Sequence, residues 1–228
     1  MNLAGSNTFT TTGAITANVI NASGLTGSTA VLTMGAAGND IITGGSGNDT
    51  LVGGIADDTI TAGTGNDSIS GGLGNDTVTI AGNLTAADTL AGGEGTADIL
   101  SIGTAAATLA TAANVSGFVT LAVTTAGLTT DLSVYATNNT ITRLNEVGAA
   151  GAYTVTGASA AFTTLAAGTA GDTFTFSRAL NTARIQTRGS AAGGRWPEHC
   201  SGGTHSRSGR PDAVQLDQGS TPGPAQWG

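Results

Sequence analysis

The side chains best suited to chemistry are five aspartates that recur every nine residues: Asp40, Asp49, Asp58, Asp67 and Asp76. Each ends a glycine-rich run, as in GGSGND at residues 44–49. Carboxylate oxygens and backbone carbonyls are the ligands of a hard cation, and calcium accepts about six to eight of them in a tolerant geometry. Glycine permits the positive φ values that let carbonyls converge. The spacing therefore predicts a row of calcium sites.

The aspartates belong to five consecutive nine-residue blocks, which begin at Gly35, Gly44, Gly53, Ala62 and Gly71. Position eight is apolar in every block: Ile42, Leu51, Ile60, Ile69 and Val78. Threonine and β-branched residues around it favour a short strand with its middle side chain pointing inward, after a six-residue turn. Strands are therefore expected near 41–43, 50–52, 59–61, 68–70 and 77–79. The glycines expected to help form the metal sites are Gly44, Gly45, Gly47, Gly53, Gly54, Gly63, Gly65, Gly71, Gly72 and Gly74.

Nine residues form half a coil in this interpretation, so the chain returns to the same edge after eighteen. One edge then stacks Asp40, Asp58 and Asp76, and the other stacks Asp49 with Asp67. Adjacent strands lie about 4.8 Å apart, where two unit charges repel by roughly 1 kcal/mol even in water. The repeat without calcium is therefore expected to stay unfolded, and calcium between successive turns is expected to close it.

Some turns depart from the motif. In GGIADD, Ala56 replaces a glycine and Asp57 adds a carboxylate, so this turn is expected to be the least regular. Beyond the fifth block the period slips, and Asp88 is interpreted as a spacer aspartate. The run GGEGTAD resembles a degenerate further turn, with Glu94 or Asp98 expected near a metal.

Composition limits the fold class and the partners. The 228 residues include 37 glycines but only 4% aromatic residues, which suits thin, repetitive β structure. Residues 1–177 contain twelve acidic residues and a single base, Arg143, which argues against nucleic acid as a partner. No apolar run is long enough to span a membrane and no N-terminal signal peptide is recognisable, so membrane insertion is not expected.

A break in composition near Arg178 divides the chain. All four prolines, both tryptophans, both histidines and the single cysteine follow it, with six arginines against three acids. Two interpretations stay open: a disordered Arg/Pro-rich tail, or a stretch translated out of frame. The expected organisation is an N-terminal β flank or cap (1–34), a calcium-binding β-roll (35–101), a Thr/Ala/Gly-rich β region (102–177) and the disordered tail (178–228). The expected class is all-β, a parallel β-roll or β-solenoid with flanking strands.

The region after the repeat shows the period-two alternation of β-strands. VTLAV at 119–123, YTV at 153–155 and DTFTFS at 172–177 are the clearest examples. The alanine-rich run at 104–113 is ambiguous and is compatible with one short helical turn.

The blocks resemble the calcium-binding nonapeptide repeat of RTX (haemolysin-type) proteins, whose motif is G-G-x-G-x-D-x-U-x, over residues 35–79. With the following stretch ILSIGTAAATLATAANVSGFVTLAVTTAG, residues 1–177 resemble calcium-dependent surface-layer proteins of Gram-negative bacteria. The resemblance implies an exported protein, secreted by a type I apparatus through an uncleaved C-terminal signal. It also implies assembly on the cell surface, by self-association into an array or by binding a cell-surface polysaccharide. The Arg/Pro-rich tail does not resemble such a signal.

The alternative is the non-catalytic repeat portion of a secreted adhesin, toxin or hydrolase. A secreted RTX protease or lipase needs H-E-x-x-H or G-x-S-x-G, and neither occurs, so no catalytic residue is expected. A pore-forming toxin needs a long amphipathic or apolar segment, which is also missing. An adhesin stays open, because β repeats rich in Thr, Ala and Gly serve either use.

Overall fold

The structure, a computed structural model, describes residues 1–11, 15–16, 18–35, 38–80, 84–103, 114–124, 129–131, 141–146, 152–156, 164–166, 173–176, 186–187 and 215–218. The strands are β1 (Asn2–Gly5), β2 (Phe9–Thr10), β3 (Val19–Leu25), β4 (Ala30–Thr33), β5 (Ile41–Thr43), β6 (Thr50–Ile55), β7 (Thr59–Thr61), β8 (Ser68–Leu73), β9 (Thr77–Ile80), β10 (Thr89–Glu94), β11 (Ile99–Ile102), β12 (Val115–Ser116), β13 (Thr120–Val123), β14 (Thr129–Asp131), β15 (Arg143–Glu146), β16 (Ala152–Thr156), β17 (Thr164–Ala166), β18 (Thr173–Phe176), β19 (Gln186–Thr187) and β20 (Gln215–Gln218). Over these residues, no helix has the length and apolar character needed to cross a membrane.

The strands alternate between sheets as the chain advances. The odd-numbered strands β1 to β19 form a ten-stranded sheet in chain order, and the even-numbered strands β2 to β12 form a six-stranded sheet. Strands β14, β16, β18 and β20 form a third sheet, and the pairings are parallel throughout the described strands. A chain that crosses between parallel sheets and adds one strand at each crossing is a β-solenoid. The predicted all-β, parallel solenoid class is confirmed.

The nine-residue period sets the length of a coil. Within the repeat, Ile42 pairs with Ile60 and Ile60 pairs with Val78, so each coil takes 18 residues. Beyond the repeat, Val78 pairs with Leu100, 22 residues further on, because the connecting loops are longer. All five strands predicted in the repeat are present. The strands β6 and β8 run three residues further than predicted, into the glycine pairs of the next turns.

The interior is a narrow stack of apolar side chains. The position-eight residues are 0–3% exposed, which confirms that they point inward: Ile42, Leu51, Ile60, Ile69 and Val78. Leu90, Leu100 and Leu121 continue the two stacks beyond the repeat. Full burial of such a side chain contributes roughly 1.5–3 kcal/mol. With so few inward side chains per coil, apolar burial leaves little stability in reserve.

The flanks continue the coil. In the ten-stranded sheet, Ile20 of β3 pairs with Ile42, so the N-terminal flank stacks on the repeat as expected. Leu121 of β13 pairs with Leu100, and β15 follows in the same sheet. Strand pairing therefore crosses both predicted domain boundaries, and the division into domains stays a prediction. The ambiguous run at 104–113 lies outside the described residues.

Two strands fall within the segment that was expected to be disordered. β19 pairs with β17 at the end of the ten-stranded sheet, and β20 pairs with β18. The open edge of a parallel sheet presents unpaired N–H and C=O groups that a short extended segment can satisfy. The prediction of a structureless tail is therefore corrected at

Candidate metal centre

The five repeat aspartates lie at the ends of the turns that connect the two sheets. Turns from the six-stranded to the ten-stranded sheet form what we call the first edge, which carries Asp40, Asp58 and Asp76. Turns that lead back form the second edge, which carries Asp49 and Asp67. All five are 0–3% exposed. The structure thus arranges them in the two stacks that the period predicted.

Hydrogen bonds between coils hold each stack. On the first edge, the main-chain N–H of Asp40 donates to Oδ1 of Asp58 at 2.8 Å. On the second edge, the N–H of Asp49 donates to Oδ1 of Asp67 at the same distance. The aspartate carbonyls are used as well, because the carbonyl of Asp40 accepts from Thr59 of the next coil at 2.8 Å. Stacking therefore uses one carboxylate oxygen and both backbone groups of each aspartate.

The other carboxylate oxygens of the first edge have no partner. Oδ2 of Asp58 and Oδ2 of Asp76 are buried without a hydrogen bond, and so are both carboxylate oxygens of Asp40. A buried polar atom without a partner costs about 1–3 kcal/mol, and more when it is charged. The repeat contains no basic residue, and Arg143 is the only base in residues 1–177. These oxygens therefore call for a proton or a bound cation.

The second edge treats its carboxylate differently. Oδ2 of Asp49 accepts a hydrogen bond of 2.7 Å from the N–H of Gly45, within the same turn. A backbone donor thus occupies the oxygen that stays free in Asp58 and Asp76. The two edges are chemically unequal, although their sequence motifs are nearly the same.

Burial dominates the electrostatics of both edges. It raises the pKa of Asp58 from 3.8 to about 6, against the hydrogen bond from Asp40, and the nearby carboxylates add to the rise. Burial likewise raises the pKa of Asp67 to about 6, with repulsion from Asp49 as a further cause. The pKa of Asp76 is also raised by burial. Folding without a cation therefore disfavours the ionised carboxylates.

The ten glycines of the predicted sites lie where successive coils touch. A Cβ atom on any of them would come within 3.0 Å of a backbone carbonyl oxygen of the adjacent coil: Gly44, Gly45, Gly47, Gly53, Gly54, Gly63, Gly65, Gly71, Gly72 and Gly74. At Gly53 and Gly71 the added atom would also contact Oδ2 of Asp58 and of Asp76, respectively. Glycine at these two positions therefore keeps open the space in front of the unpartnered oxygens.

The turn expected to be least regular is strained but stays in register. Ala56 adopts φ +88°, and it is the one non-glycine residue with positive φ among those that the structure describes. Asp58 nevertheless keeps its place in the stack, since its N–H donates to Oδ1 of Asp76 at 2.8 Å. The irregularity is therefore confined to the backbone before the aspartate.

The interpretation of Asp88 as a spacer is wrong. The N–H of Asp67 donates to Oδ1 of Asp88 at 2.7 Å, which makes Asp88 the next member of the second edge. The residues around Thr85 form a tight turn that absorbs the change of period, and its N–H donates to Oδ2 of Asp88 at 2.7 Å. The signal that could have shown this is the strand that follows, since DTL repeats the pattern of DTI and DTV in the repeat.

The degenerate turn brings Asp98, and not Glu94, into the first edge. Asp98 is completely buried, and its Oδ1 accepts from the N–H of Asp76 at 2.7 Å. Glu94 is exposed at the end of β10. The aspartate again directly precedes a strand, which explains why it takes the repeat position despite the altered spacing.

Sequence reasoning missed a second row of side chains outside the aspartates. Oδ1 of Asn48 accepts from the N–H of Asn66 at 2.9 Å on the second edge. Oδ1 of Asp57 accepts from the N–H of Asn75 at 2.7 Å on the first edge. The signal was available, because position five is asparagine in four of the five blocks and aspartate in the fifth. This row ties the outer part of each turn to the next coil.

The donor set fits calcium. Residues 1–177 contain neither histidine nor cysteine, so the nitrogen and sulfur ligands typical of zinc are missing. Among the described residues, no three His, Cys, Asp or Glu side chains converge on one point. Backbone carbonyls of the glycine turns would therefore have to complete any site. An oxygen-only set with many carbonyls and one carboxylate per turn suits calcium better than magnesium, which prefers a rigid octahedron.

Comparison with protein families agrees with this chemistry. Residues 34–60 and 52–79 match the model of the RTX calcium-binding nonapeptide repeat (4 copies). The two segments together include all five repeat aspartates. RTX nonapeptide repeats bind Ca²⁺ and act as structural, non-catalytic elements, so Ca²⁺ is the ion of this region. Neither the curated proteins nor the solved structures gave a match.

Proposed function

We propose that this chain, whose residues 34–79 carry the RTX calcium-binding repeat, is a structural protein of a secreted bacterial surface layer and has no enzymatic activity. Calcium outside the cell closes the solenoid, and closed solenoids then assemble with one another. The observation that carries the proposal is the row of buried carboxylate oxygens without partners, at Asp40, Asp58 and Asp76.

Calcium acts as the folding switch in this proposal. The unfolded chain has no preformed site, so the free energy of binding becomes free energy of folding. Extracellular calcium modules bind with Kd of about 10⁻⁴ to 10⁻³ M, so sites of this kind are empty in the cytosol and filled outside. The narrow core supports the idea, because apolar burial has little surplus with which to offset the repulsion between stacked carboxylates.

Secretion follows the same logic. RTX repeat proteins are typically exported by type I secretion, and a chain that stays unfolded at cytosolic calcium is suited to passage through a narrow channel. The strongly acidic composition of residues 1–177 supports this state, because unscreened carboxylates oppose collapse. Folding would then begin on arrival in extracellular calcium.

Exposed apolar side chains beside the first edge support self-association. Val19 and Ile41 are neighbours in the ten-stranded sheet and are each 48% exposed. Ile55 and Leu73 are neighbours in the six-stranded sheet, 50% and 45% exposed, where their strands enter first-edge turns. Stacked pairs of this kind present a continuous apolar strip, which a second copy of the chain can cover.

Assembly and folding can be tested in one experiment. Purified chain is titrated with calcium while circular dichroism reports β structure, and light scattering with electron microscopy reports ordered arrays. We expect β structure to form first and arrays to follow at higher chain concentration, both reversed by a chelator. A chain that folds on calcium but stays monomeric would contradict the surface-layer proposal and favour the repeat portion of an adhesin, toxin or hydrolase.

A matched pair of variants separates assembly from folding. Leu73→Asp places a charge on the apolar strip, whereas Thr64→Asp places one at the equivalent turn position of the second edge; both side chains are exposed. We expect both variants to fold on calcium and only Leu73→Asp to lose array formation. Equal assembly by the two variants would exclude the apolar strip as the contact between copies.

A further inference from the structure

The turn at residues 92–98 lies outside the matched repeat but copies its geometry. Gly93 pairs with Gly72 in the six-stranded sheet, and Ile99 pairs with Thr77 in the ten-stranded sheet. Between these strands, the N–H of Asp76 donates to Oδ1 of the next aspartate at 2.7 Å. The degenerate turn therefore delivers its aspartate to the first edge in the same register as a repeat turn.

The aspartate of this turn leaves one oxygen free. Asp98 is 0% exposed, and its Oδ2 is buried without a hydrogen bond, as is Oδ2 of Asp76. A Cβ atom at Gly95 would lie 2.7 Å from Oδ1 and 2.8 Å from Oδ2 of Asp98. Gly93 adopts φ +114°, close to the +122° of Gly72 in the preceding coil. The turn thus combines an unpartnered carboxylate with a glycine that keeps the space before it open.

The equivalent position on the second edge is closed. Asp88 also accepts from the preceding coil, through Oδ1 and the N–H of Asp67. Its Oδ2, however, accepts from the N–H of Thr85 at 2.7 Å, so both oxygens have donors. Residues 84–88 read LTAAD and contain no glycine. Two aspartates that extend the two stacks by one step therefore differ in a single respect, the availability of Oδ2.

We propose that the first edge has a further Ca²⁺ site between the turns that end in Asp76 and Asp98, while Asp88 ends the second edge without an ion. Asp76 and Asp98 would supply carboxylate oxygens, and the glycine turns of the two coils would supply carbonyls. The proposal deepens the function proposed above, since it rests on calcium closing the solenoid. It extends the calcium-dependent part of the chain past residue 79 to strand β11.

Counting bound ions tests the proposal. The full-length chain and the variants Asp98→Asn and Asp88→Asn are analysed by native mass spectrometry in excess calcium, below the concentration at which arrays form. In Asp98→Asn the amide oxygen can still accept from the N–H of Asp76, so folding is expected to persist. We expect Asp98→Asn to hold one calcium fewer than wild type, and Asp88→Asn to hold the same number.

Asp88→Asn should instead lower the thermal midpoint. An amide offers one acceptor oxygen, so the N–H of either Asp67 or Thr85 loses its partner. An unchanged ion count in Asp98→Asn would overturn the proposal, and so would an equal loss in both variants. The ion count is independent of assembly, so a chain that binds as expected but forms no array would contradict the surface-layer function alone.

Hydrogen exchange on the wild-type chain provides a second measurement if Asp98→Asn does not fold. Calcium is titrated in, and exchange is followed in peptides that cover 71–80 and 92–102. We expect both segments to gain protection over the same calcium range, because one ion would join their turns. Protection of 71–80 with 92–102 remaining at its level in chelator would overturn the proposal.

Discussion

The N–H of Asp58 donates to Oδ1 of Asp76 at 2.8 Å, eighteen residues further along the chain, and Oδ2 of Asp76 remains buried without a partner. One carboxylate therefore has two tasks. Its first oxygen fixes the vertical register of two coils, and its second leaves a negative charge in the space that Gly71 keeps open. Register and the need for a cation are thus created by the same side chain, which is why folding and calcium binding should be inseparable.

Asp58→Asn should weaken calcium-induced folding more than Asp49→Asn. Asp58 stacks between Asp40 and Asp76, and its free oxygen faces the first edge. Removal of a unit charge about 4 Å from a divalent ion costs about 2 kcal/mol even at the dielectric constant of water, which is more than tenfold in affinity. Oδ2 of Asp49 already accepts from Gly45, so a smaller shift is expected there. The calcium midpoint of the β circular dichroism signal is the measurement.

Two results would contradict this prediction. Full β signal of the wild-type chain in excess chelator would show that calcium is not required. Equal calcium midpoints for Asp58→Asn and Asp49→Asn would show that the free oxygen of the first edge does not matter.

Much of the repeat was predictable because two periods coincide. A strand alternates its side chains every two residues, and a coil of eighteen residues returns each aspartate to the same edge, so Asp40, Asp58 and Asp76 had to stack. Asp88 was misread because loop length, unlike strand period, leaves no regular mark in the sequence. Its register depends on the turn that Thr85 closes.

The inequality of the edges was also beyond sequence reasoning. The blocks at both edges share one motif, and only the folded turn shows that the N–H of Gly45 reaches Oδ2 of Asp49. The continuation of the ten-stranded sheet through β13 and β15 was hidden for another reason. Its coils vary in length, as Leu100 to Leu121 takes 21 residues and Leu121 to Leu144 takes 23, so no period appears.

Ala56→Gly should stabilise the calcium-bound chain. Alanine at φ +88° costs about 1–2 kcal/mol, of which the greater flexibility of glycine in the unfolded chain cancels about 0.5–1 kcal/mol. We expect a net gain of about 0.5–1 kcal/mol, measured as a higher urea midpoint in saturating calcium. Ala62→Gly is the control, because Ala62 is completely buried at a glycine position of the motif without positive φ. A loss of stability in both variants would mean that Ala56 is not strained.

Gly72→Ala should destabilise the chain far more than Gly27→Ala. Both glycines have positive φ, but a Cβ at Gly72 would overlap the carbonyl oxygen of Gly54, whereas nothing lies within 4 Å of a Cβ at Gly27. We expect a loss of about 1 kcal/mol at Gly27 from backbone strain alone, and at least about 2 kcal/mol more at Gly72 from overpacking. Urea unfolding in calcium measures both. Similar losses would show that the coils can separate to admit a side chain.

Truncation after residue 180 should leave calcium-induced folding of the repeat unchanged. The strands in the removed segment, β19 and β20, pair with β17 and β18, far along the chain from the aspartate stacks. The last aspartate with a partner in these stacks is Asp98. The calcium titration of the truncated chain, followed by circular dichroism, is compared with that of the full chain. A shifted or abolished transition would show that the tail participates in folding.

Acid should partly replace calcium. Because the pKa values of Asp58 and Asp67 are raised from 3.8 to about 6, the folded chain binds more protons than the unfolded chain between about pH 4 and 6. The stability of the calcium-free fold is therefore highest below about pH 4 and falls as the pH rises through 6. In excess chelator, we expect more β circular dichroism signal at pH 4.5 than at pH 7.5.

The same protons should compete with calcium, so the calcium midpoint is expected to rise as the pH falls through about 6. The double variant Asp58→Asn with Asp67→Asn is the control, because an amide does not titrate in this range and most of the pH dependence should disappear. A β signal in chelator that is constant, or that increases with pH, would mean that the buried carboxylates are not what keeps the calcium-free chain unfolded. Some other source of instability, such as the thin apolar core alone, would then have to explain its need for calcium.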